Sequence, residues 1–109
     1  MPEILHITPR ARWDQAVAEG VYRSDDLETE GFIHCLTSEQ LPYVYGKFYK
    51  GRTGLVVLRI DTEKLKPPLI WENPHETWKV FPHVYGLINP DVVLEVVPLE
   101  EVLAQRSGG

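Results

Sequence analysis

Residues 30–40 read EGFIHCLTSEQ and change character within this one short stretch. Gly31 precedes an apolar run that is typical of a buried strand. The TSEQ segment that follows has threonine and glutamine three positions apart, a pattern that commonly begins a helix. The stretch therefore predicts a strand that leads directly into a helix, with His34 in the middle of the strand.

An ionisable ring in a buried strand needs a partner, because an unsatisfied buried polar group costs about 1–3 kcal/mol. Strand alternation places His34 on one face with Phe32 and Leu36, and Cys35 on the other face with Ile33. We therefore expect His34 either to bond to another side chain or to contact a ligand. A lone histidine on an apolar face is more often structural than catalytic, and that interpretation stays open here.

The chain before this stretch predicts one strand and one helix. The segment ILHIT (4–8) is rich in large and β-branched residues, which favour a strand. Thr8 and Pro9 then form a helix-start signal, and Gly20 is a typical stop. These signals predict a helix over about residues 9–19. The segment VYRSDDLETEG (21–31) that follows is interpreted as a polar connection.

The chain after the stretch predicts a second main helix and then consecutive strands. The helix has an apolar stripe at positions i, i+3, i+4 and i+7, formed by Leu41, Val44, Tyr45 and Phe48. Pro42 indicates that this helix starts later than Thr37, because proline has no N–H to donate. Further strands are predicted at 55–61, 69–73, 84–88 and 92–99. Alternating elements followed by consecutive strands indicate an α+β fold with a mixed, curved sheet and two main helices. We expect a single domain over 1–109, with a core over about 4–103 and a frayed tail at 104–109.

Charge and cysteine content exclude several classes of function. The chain has 109 residues and a net charge of −5, which argues against binding a nucleic-acid duplex through its backbone. Lys47, Lys50 and Arg52 form the densest basic group, which is enough for one phosphate group. Cys35 is the sole cysteine, so an intramolecular disulfide is excluded, and we expect a buried, inert thiol.

Targeting signals are not evident in the sequence. The segment MPEILHITPR lacks the charged and long apolar regions of a signal peptide. The apolar runs are also shorter than a membrane-spanning helix requires. We therefore expect a cytoplasmic protein with no membrane association.

The histidines are the main candidates for chemistry. His6, His34 and His83 lie in strand-like apolar contexts, and we predict that they converge in one cleft as catalytic residues. His75 lies in a polar loop. No histidine pair has a recognisable metal-ligand spacing, so no metal site is predicted, and a histidine-rich metal protein is kept as the weakest alternative.

Residues 71–86, WENPHETWKVFPHVYG, form a second informative stretch because aromatic rings crowd a loop that contains prolines. Trp71, Trp78 and Phe81 offer flat faces on which a base can stack, or they close one end of the core. Glu72 can orient a histidine or bind a ribose hydroxyl group, or it is a solvated charge at a strand end. The residues alone leave these alternatives open.

Five segments carry a family resemblance, and they read in order LHIT, YRSDDLETEGFIHCLTSEQ, FYKGRTGLVVLRID, WE and FPHVYG. Over about residues 4–98 the chain resembles the bacterial domain-of-unknown-function family 952. That family is similar in fold to the ADP-ribosyltransferase superfamily, in which a split, mixed sheet holds NAD in a cleft between its halves. The resemblance implies NAD, or a similar nucleotide, as the small-molecule ligand.

The resemblance also implies roles for individual residues. It places His6 on the first core strand, where the superfamily's histidine binds the ribose of NAD. It places His34 on the second core strand, where the equivalent residue supports the nicotinamide. The further ligand-binding residues that we predict are Thr8, Arg52, Trp71, Glu72 and Tyr85.

The sequence departs from the superfamily at the late strand, where many transferases carry a catalytic glutamate. Glu95 lies on a late strand but does not align with that position, and FPHVYG places His83 and Tyr85 there instead. Some superfamily members without the glutamate act on phosphorylated RNA ends, which they hold with basic residues. The sequence is therefore compatible with ADP-ribosyl or phosphate transfer, or with a binding module that has lost its chemistry.

Overall fold

The computed structural model describes residues 3–73 and 80–108, with side chains described as far as Gln105. In chain order the strands are β1 (Glu3–Pro9), β2 (Ile33–His34), β3 (Leu55–Asp61), β4 (Leu69–Glu72), β5 (Phe81–Val84) and β6 (Val93–Pro98). The helices are α1 (Arg10–Glu19), α2 (Asp25–Glu30), α3 (Leu41–Val44) and α4 (Leu99–Gly108). Shorter 3₁₀ turns cover Ser38–Gln40, Thr62–Lys64 and Pro90–Val92, and Tyr45–Tyr49 form a π-helix. His75 and Trp78 lie outside the described residues.

Two three-stranded sheets form the fold, with strand orders β1-β3-β6 and β2-β5-β4. This arrangement confirms the α+β class and the division of the sheet. The prediction of a mixed sheet was wrong, because every strand pair in the described part of the chain is antiparallel. Since β1 and β2 join different sheets, α1 does not connect parallel neighbours as it would in a βαβ unit.

Strand β3 is buried on both faces, which explains its continuous apolar sequence. Val56 and Leu58 pack into one hydrophobic cluster, together with residues such as Ile33. Leu55 and Val57 pack into a second cluster on the other face. The predicted strand over 55–61 is therefore confirmed as the central strand of its sheet.

The helix predicted over 9–19 is confirmed as α1. It begins at Arg10, one residue later than Pro9, because Pro9 keeps an extended backbone with ψ at 141°. Gly20 ends the helix in the left-handed conformation, with φ at 83°. Glycine adopts this conformation at little cost, which is why it acts as the stop.

The polar connection expected before residue 30 contains helix α2. Ser24 precedes it in an extended conformation, and acidic residues such as Asp25 and Asp26 in its first turn favour the positive end of the helix dipole. Gly31 ends the helix with φ at 88°. None of the residues of helix α2 is fully buried. The helix therefore has no apolar stripe from which its presence could have been predicted.

The second main helix is one helical run over residues 38–49 whose hydrogen-bond repeat changes from 3₁₀ to α and then to π, rather than one regular α-helix. Thr37 and Gln40 form the expected capping box, but only a 3₁₀ turn follows it directly. Pro42 lies in the first turn of α3, which confirms a start later than Thr37. The π-helix that follows changes the helical repeat and leaves Phe48 60% exposed, not in an apolar stripe.

Two C-terminal expectations also change. The strand placed at 84–88 lies earlier, as β5, which covers Phe81–Val84. Tyr85 N–H still donates to the Pro68 carbonyl at 2.9 Å, in register with the β4–β5 pair, and the strand does not continue beyond it. Helix α4 begins at Leu99, which was predicted as the end of the last strand, and no helix was predicted there. Leu99 is buried, and Val102 and Leu103 pack beside it at helical spacing, which holds the first turn in the second cluster.

The two sheets meet at β1 and the segment after β2. Leu5 and Leu36 exchange both backbone hydrogen bonds, at 2.7 and 2.8 Å. Next to them, Nδ1 of His6 lies 2.6 Å from the carbonyl oxygen of His34. A carbonyl only accepts, so Nδ1 carries the hydrogen and donates. This junction fixes the distance between the sheets, and with it the walls of the cleft described below.

The other nitrogen of His6 joins a buried polar chain. Nε2 lies 2.6 Å from the Tyr22 hydroxyl group, and the hydroxyl groups of Tyr22 and Thr8 lie 2.9 Å apart. Burial lowers the pKa of His6, which favours the neutral ring. In that form Nε2 accepts from Tyr22, and Tyr22 accepts from Thr8. Each polar group in the chain is then satisfied.

Within the described residues, no helix is both long and apolar enough to cross a membrane.

We predict that Tyr22→Phe lowers the free energy of unfolding by about 1–3 kcal/mol, because Nε2 of His6 loses its partner while it stays buried. Urea denaturation followed by circular dichroism measures this change. Tyr45→Phe is the matched control, since the Tyr45 side chain is only partly buried beside the second cluster and we expect little change. Equal losses in the two variants would contradict a specific role for the Tyr22 hydroxyl group.

Candidate functional site

A cleft of about 730 Å³ opens beside the junction of the two sheets. Its lining comes from β1, α2, β2, the π-helix and β5, elements that lie far apart in the sequence. His6, His34 and His83 all contribute to it, and so do Thr8 and Arg52. Five of the predicted site residues therefore come together in one place.

Asp26 holds His34 from α2. Its Oδ2 atom accepts a hydrogen bond from Nδ1 of His34 at 2.5 Å and another from the His34 backbone N–H at 3.0 Å. Oε2 of Glu30 lies 3.6 Å from Nε2 on the other edge of the ring. The hydrogen bond to Asp26 raises the pKa of His34 and outweighs its partial burial, so the imidazolium form is favoured.

The pKa of Asp26 moves in the complementary direction. Burial alone would raise it, but the hydrogen bonds from His34 and from the Ser24 hydroxyl group together hold the pKa below its usual range. Asp26 therefore stays a carboxylate at neutral pH. The two residues form an ion pair at the wall of the cleft.

His83 lies directly opposite His34 across the β2–β5 pair, in very different surroundings. It is 2% exposed, and its ring stacks on Phe32 with centroids 4.0 Å apart. Nδ1 lies 3.0 Å from Oε1 of Glu72, which also accepts a hydrogen bond from the Tyr85 hydroxyl group. Burial lowers the pKa of His83 more than Glu72 raises it, so the neutral ring is favoured.

The π-helix and its neighbours supply cations and aromatic rings. Lys47 Nζ lies 5.6 Å from the ring centroids of both Tyr43 and Phe48. The guanidinium of Arg52 lies 5.3 Å from the ring centroid of Tyr49. Because π-helical segments often occur at functional sites, the π-helix at Tyr45–Tyr49 supports the interpretation of the cleft as a functional site.

The predicted residues differ in how they relate to the cleft. Glu72 and Tyr85 stand behind His83 and do not line the cavity. Trp71 is 50% exposed on β4 and is likewise not a lining residue. Glu95 pairs with Arg59 at 2.6 Å and is absent from the lining, so its carboxylate does not serve this cleft.

Cys35 lines the cleft but is buried. Burial raises the pKa of its thiol, which disfavours the thiolate that a nucleophile needs. Among the residues that the structure describes, no three histidine, cysteine or carboxylate side chains are arranged to hold a metal ion.

Sequence reasoning missed Asp26 and Tyr22, the partners of two predicted histidines. Asp26 lies in a segment that we interpreted as a polar connection. The signal was present, since Ser24 followed by acidic residues and ended by Gly31 is a typical short-helix sequence. For Tyr22 no local signal exists, because its partner His6 is sixteen residues away and on another element.

We predict that Asp26→Asn lowers the pKa of His34 and removes a pH-dependent part of the stability. A raised histidine pKa contributes stability that is fully present below about pH 6.5 and is lost as the pH rises through the folded-state pKa. A lowered aspartate pKa contributes stability that is present above about pH 4 and is lost as the pH falls through its folded-state pKa. The difference between wild type and variant should therefore be largest at about pH 4–6.5.

The size of this difference should be about 1 kcal/mol or less, because the His34 side chain is 39% exposed and solvent screens the pair. Urea denaturation over a series of pH values measures it. Asp25→Asn is the matched control, since the Asp25 side chain is 85% exposed and pairs with Arg12 instead. A stability difference that does not vary with pH would refute the role of the pair.

Comparison with known proteins identifies the family. The family model described as Protein of unknown function (DUF952) matches residues 7–96. The crystal structure of protein CC0527 from Caulobacter crescentus is 32% identical, with a TM-score of 0.80, and the alignment covers 94% of this chain and 99% of that chain. The solution NMR structure of CC0527 is also 32% identical, with a TM-score of 0.78 and coverage of 90% and 84%. No curated protein matches the chain. Since the family model matches well over half of its residues, the chain belongs to the DUF952 family.

Proposed function

We propose that the cleft binds a nucleotide-like ligand of the NAD or ADP-ribose type, and that this binding is the basis of the protein's function. The observation that carries the proposal is that histidine, cationic and aromatic side chains share one cavity of about 730 Å³. Sites for small molecules usually have volumes of about 300–1,000 Å³, so the cavity has a suitable size. The sequence motifs that resemble ADP-ribosyltransferases point to the same class of ligand.

Positive charge in the cleft supports a phosphate-bearing ligand. Three cations line the cleft (Arg12, Lys47 and Arg52), and so do three carboxylates (Asp25, Asp26 and Glu30). Arg12 pairs with Asp25, and the other two carboxylates lie at His34, so Lys47 and Arg52 are the cations that we assign to a phosphate. Arginine binds phosphate through paired N–H donors, and lysine binds it as a point charge. Lys47 Nζ donates a hydrogen bond to the Tyr43 hydroxyl group at 3.3 Å, and the guanidinium of Arg52 lies 5.3 Å from the Tyr49 ring centroid. These contacts help to hold the two cations at the cleft.

Aromatic rings support a ligand with a flat base. Tyr43 and Phe81 both line the cleft, with ring centroids 6.4 Å apart and planes inclined by 27°. Stacking of a base on an aromatic side chain is worth about 1–3 kcal/mol in nucleic-acid complexes. A nucleotide would thus find a stacking surface and phosphate partners in the same cavity.

The chemistry that we propose is transfer of an ADP-ribosyl or phosphoryl group, with His34 and His83 as the ionisable groups beside the ligand. Thr8 offers a hydroxyl group at the floor of the cleft. His6 acts as a positioning residue in this proposal, since both of its nitrogens bond to other parts of the chain. NAD would be consumed as a co-substrate.

A second candidate is a binding module that holds the same ligand without turnover. The pairing of Glu95 with Arg59 favours it, because the late-strand carboxylate that many transferases use is engaged elsewhere. The two candidates share the cleft and differ only in whether the ligand reacts.

We predict that Lys47→Gln weakens the binding of ADP-ribose by about ten-fold. A hydrogen bond to a charged group is worth about 1.5–3 kcal/mol, and partial exposure reduces this to roughly 1.4 kcal/mol, which corresponds to ten-fold. A backbone amide NMR titration at constant salt measures the dissociation constant. In the wild type, saturable shifts should cluster at His34, Lys47 and Arg52.

Lys64→Gln is the matched control, because Lys64 is exposed in a 3₁₀ turn away from the cleft and the substitution removes the same charge. It should leave the dissociation constant unchanged. If the wild type shows no saturable shifts with NAD or ADP-ribose at millimolar concentration, the proposed function is wrong.

We predict that the wild-type protein releases nicotinamide from NAD when a suitable acceptor or water is present, and that His83→Gln abolishes the release. Proton NMR of the incubated mixture detects free nicotinamide directly. Saturable binding of NAD without release over a long incubation would reject ADP-ribosyl transfer, and unchanged phosphorus NMR spectra of the bound nucleotide over the same incubation would reject phosphoryl transfer and leave the binding module.

A further inference from the structure

A line of hydrogen bonds runs behind His83 and away from the cleft. The Tyr85 hydroxyl group donates to Oε1 of Glu72, and the same oxygen lies 3.0 Å from Nδ1 of His83. A carboxylate only accepts, so Nδ1 carries a hydrogen and donates it to Glu72. In a neutral ring with Nδ1 protonated, Nε2 has a free lone pair.

The edge of His83 that carries Nε2 is the edge available to a ligand. His83 lines the cleft, whereas Glu72, which engages the opposite edge, does not. Across the described residues, Nε2 of His83 has no hydrogen-bond partner. Phe32 covers one face of the ring, with centroids 4.0 Å apart, so that face is closed to a ligand.

His34 has the opposite surroundings, although its ring centroid is only 5.2 Å from that of His83. Carboxylates lie at both edges of its ring, with Asp26 at 2.5 Å and Glu30 at 3.6 Å. Two carboxylates favour a positive charge on the ring between them. The positive charge on His34 in turn opposes a second positive charge on His83.

We propose that the two histidines carry unequal charge at neutral pH, with His34 as an imidazolium and His83 as a neutral base whose Nε2 faces the ligand. Glu72 and Tyr85 are positioning residues that fix the tautomer of His83. This inference rests on the proposed function for its ligand, but the charges and the tautomer belong to the ligand-free protein.

The step that this arrangement serves is activation of a hydroxyl group or a water molecule. Its O–H bond breaks, and the proton moves to Nε2 of His83. Its oxygen forms a bond to the ribose carbon or to the phosphorus of the nucleotide. The bond to the leaving group breaks, and that group departs with the electron pair. The imidazolium of His34, held between Asp26 and Glu30, lies beside the base and opposes a second positive charge there, which keeps His83 neutral and able to accept the proton.

The ionisable groups around each ring decide its charge. Those around His83 are Glu72 on β4, Tyr85 after β5, His34 on β2 and Glu30 on α2. Those around His34 are Asp26 and Glu30 on α2, His83 on β5 and His6 on β1. Carboxylates dominate around His34, whereas burial against Phe32 dominates around His83.

Proton–nitrogen correlation spectra of the imidazole rings, recorded against pH on the ligand-free protein, test the proposal. We expect His83 to titrate below the ordinary histidine pKa of about 6.5 and to show a protonated Nδ1 in its neutral form. His34 should titrate above that value. An Nε2-protonated tautomer of His83, or titration of both rings together near the ordinary pKa, would overturn the proposal.

Glu72→Gln tests the positioning role. A glutamine amide can donate or accept, so His83 should lose its single tautomer, and its pKa should fall further without the carboxylate. Tyr85→Phe keeps the carboxylate, so the tautomer should stay unchanged. Glu95→Gln is the control, because this strand carboxylate pairs with Arg59 instead. A single unchanged tautomer in Glu72→Gln would rule out the role of Glu72. Since no ligand enters these measurements, their outcome is independent of whether the cleft binds a nucleotide.

Discussion

The contact between His6 and the carbonyl group of His34 is the interaction on which the rest of the structure depends. It lies where the two sheets meet, beside the paired backbones of Leu5 and Leu36. On the other side of the same residue, Asp26 binds both the backbone N–H and the ring of His34. A two-residue strand is thereby fixed from β1 and from α2, and the cleft between the sheets keeps a defined wall.

The chemical character of that wall comes from a contrast between two paired residues. His34 and His83 are cross-strand neighbours, so their rings are held close by the register of β2 and β5. One ring lies between carboxylates, and the other is buried against an aromatic ring. Environments that push two pKa values apart are a general way to obtain an acid and a base from similar side chains. In this fold, two short strands and one short helix move the pKa values of His34 and His83 in opposite directions.

Local patterns predicted the parts of the fold that bury apolar residues. Strand β3 and helix α1 followed from their composition and from clear start and stop residues. Helix α2 was missed because Leu27 is its single apolar residue, which is too few for a periodic pattern. The helix after Thr37 was predicted as one regular helix because a change to π-helical repeat leaves no mark in an apolar pattern. Helix α4 was also missed, although Leu99, Val102 and Leu103 are spaced as apolar residues on one face of a helix.

The sequence by itself determined the α+β class, the family and the histidines that reach the cleft, because apolar periodicity, turn residues and short motifs are all local properties. Only the tertiary structure decided which groups surround each histidine. Asp26, Tyr22 and Glu72 are eight to sixteen residues from their partners and on other elements. Their effects on charge and tautomer depend on distance and burial, and these exist only after the two sheets have closed around the cleft.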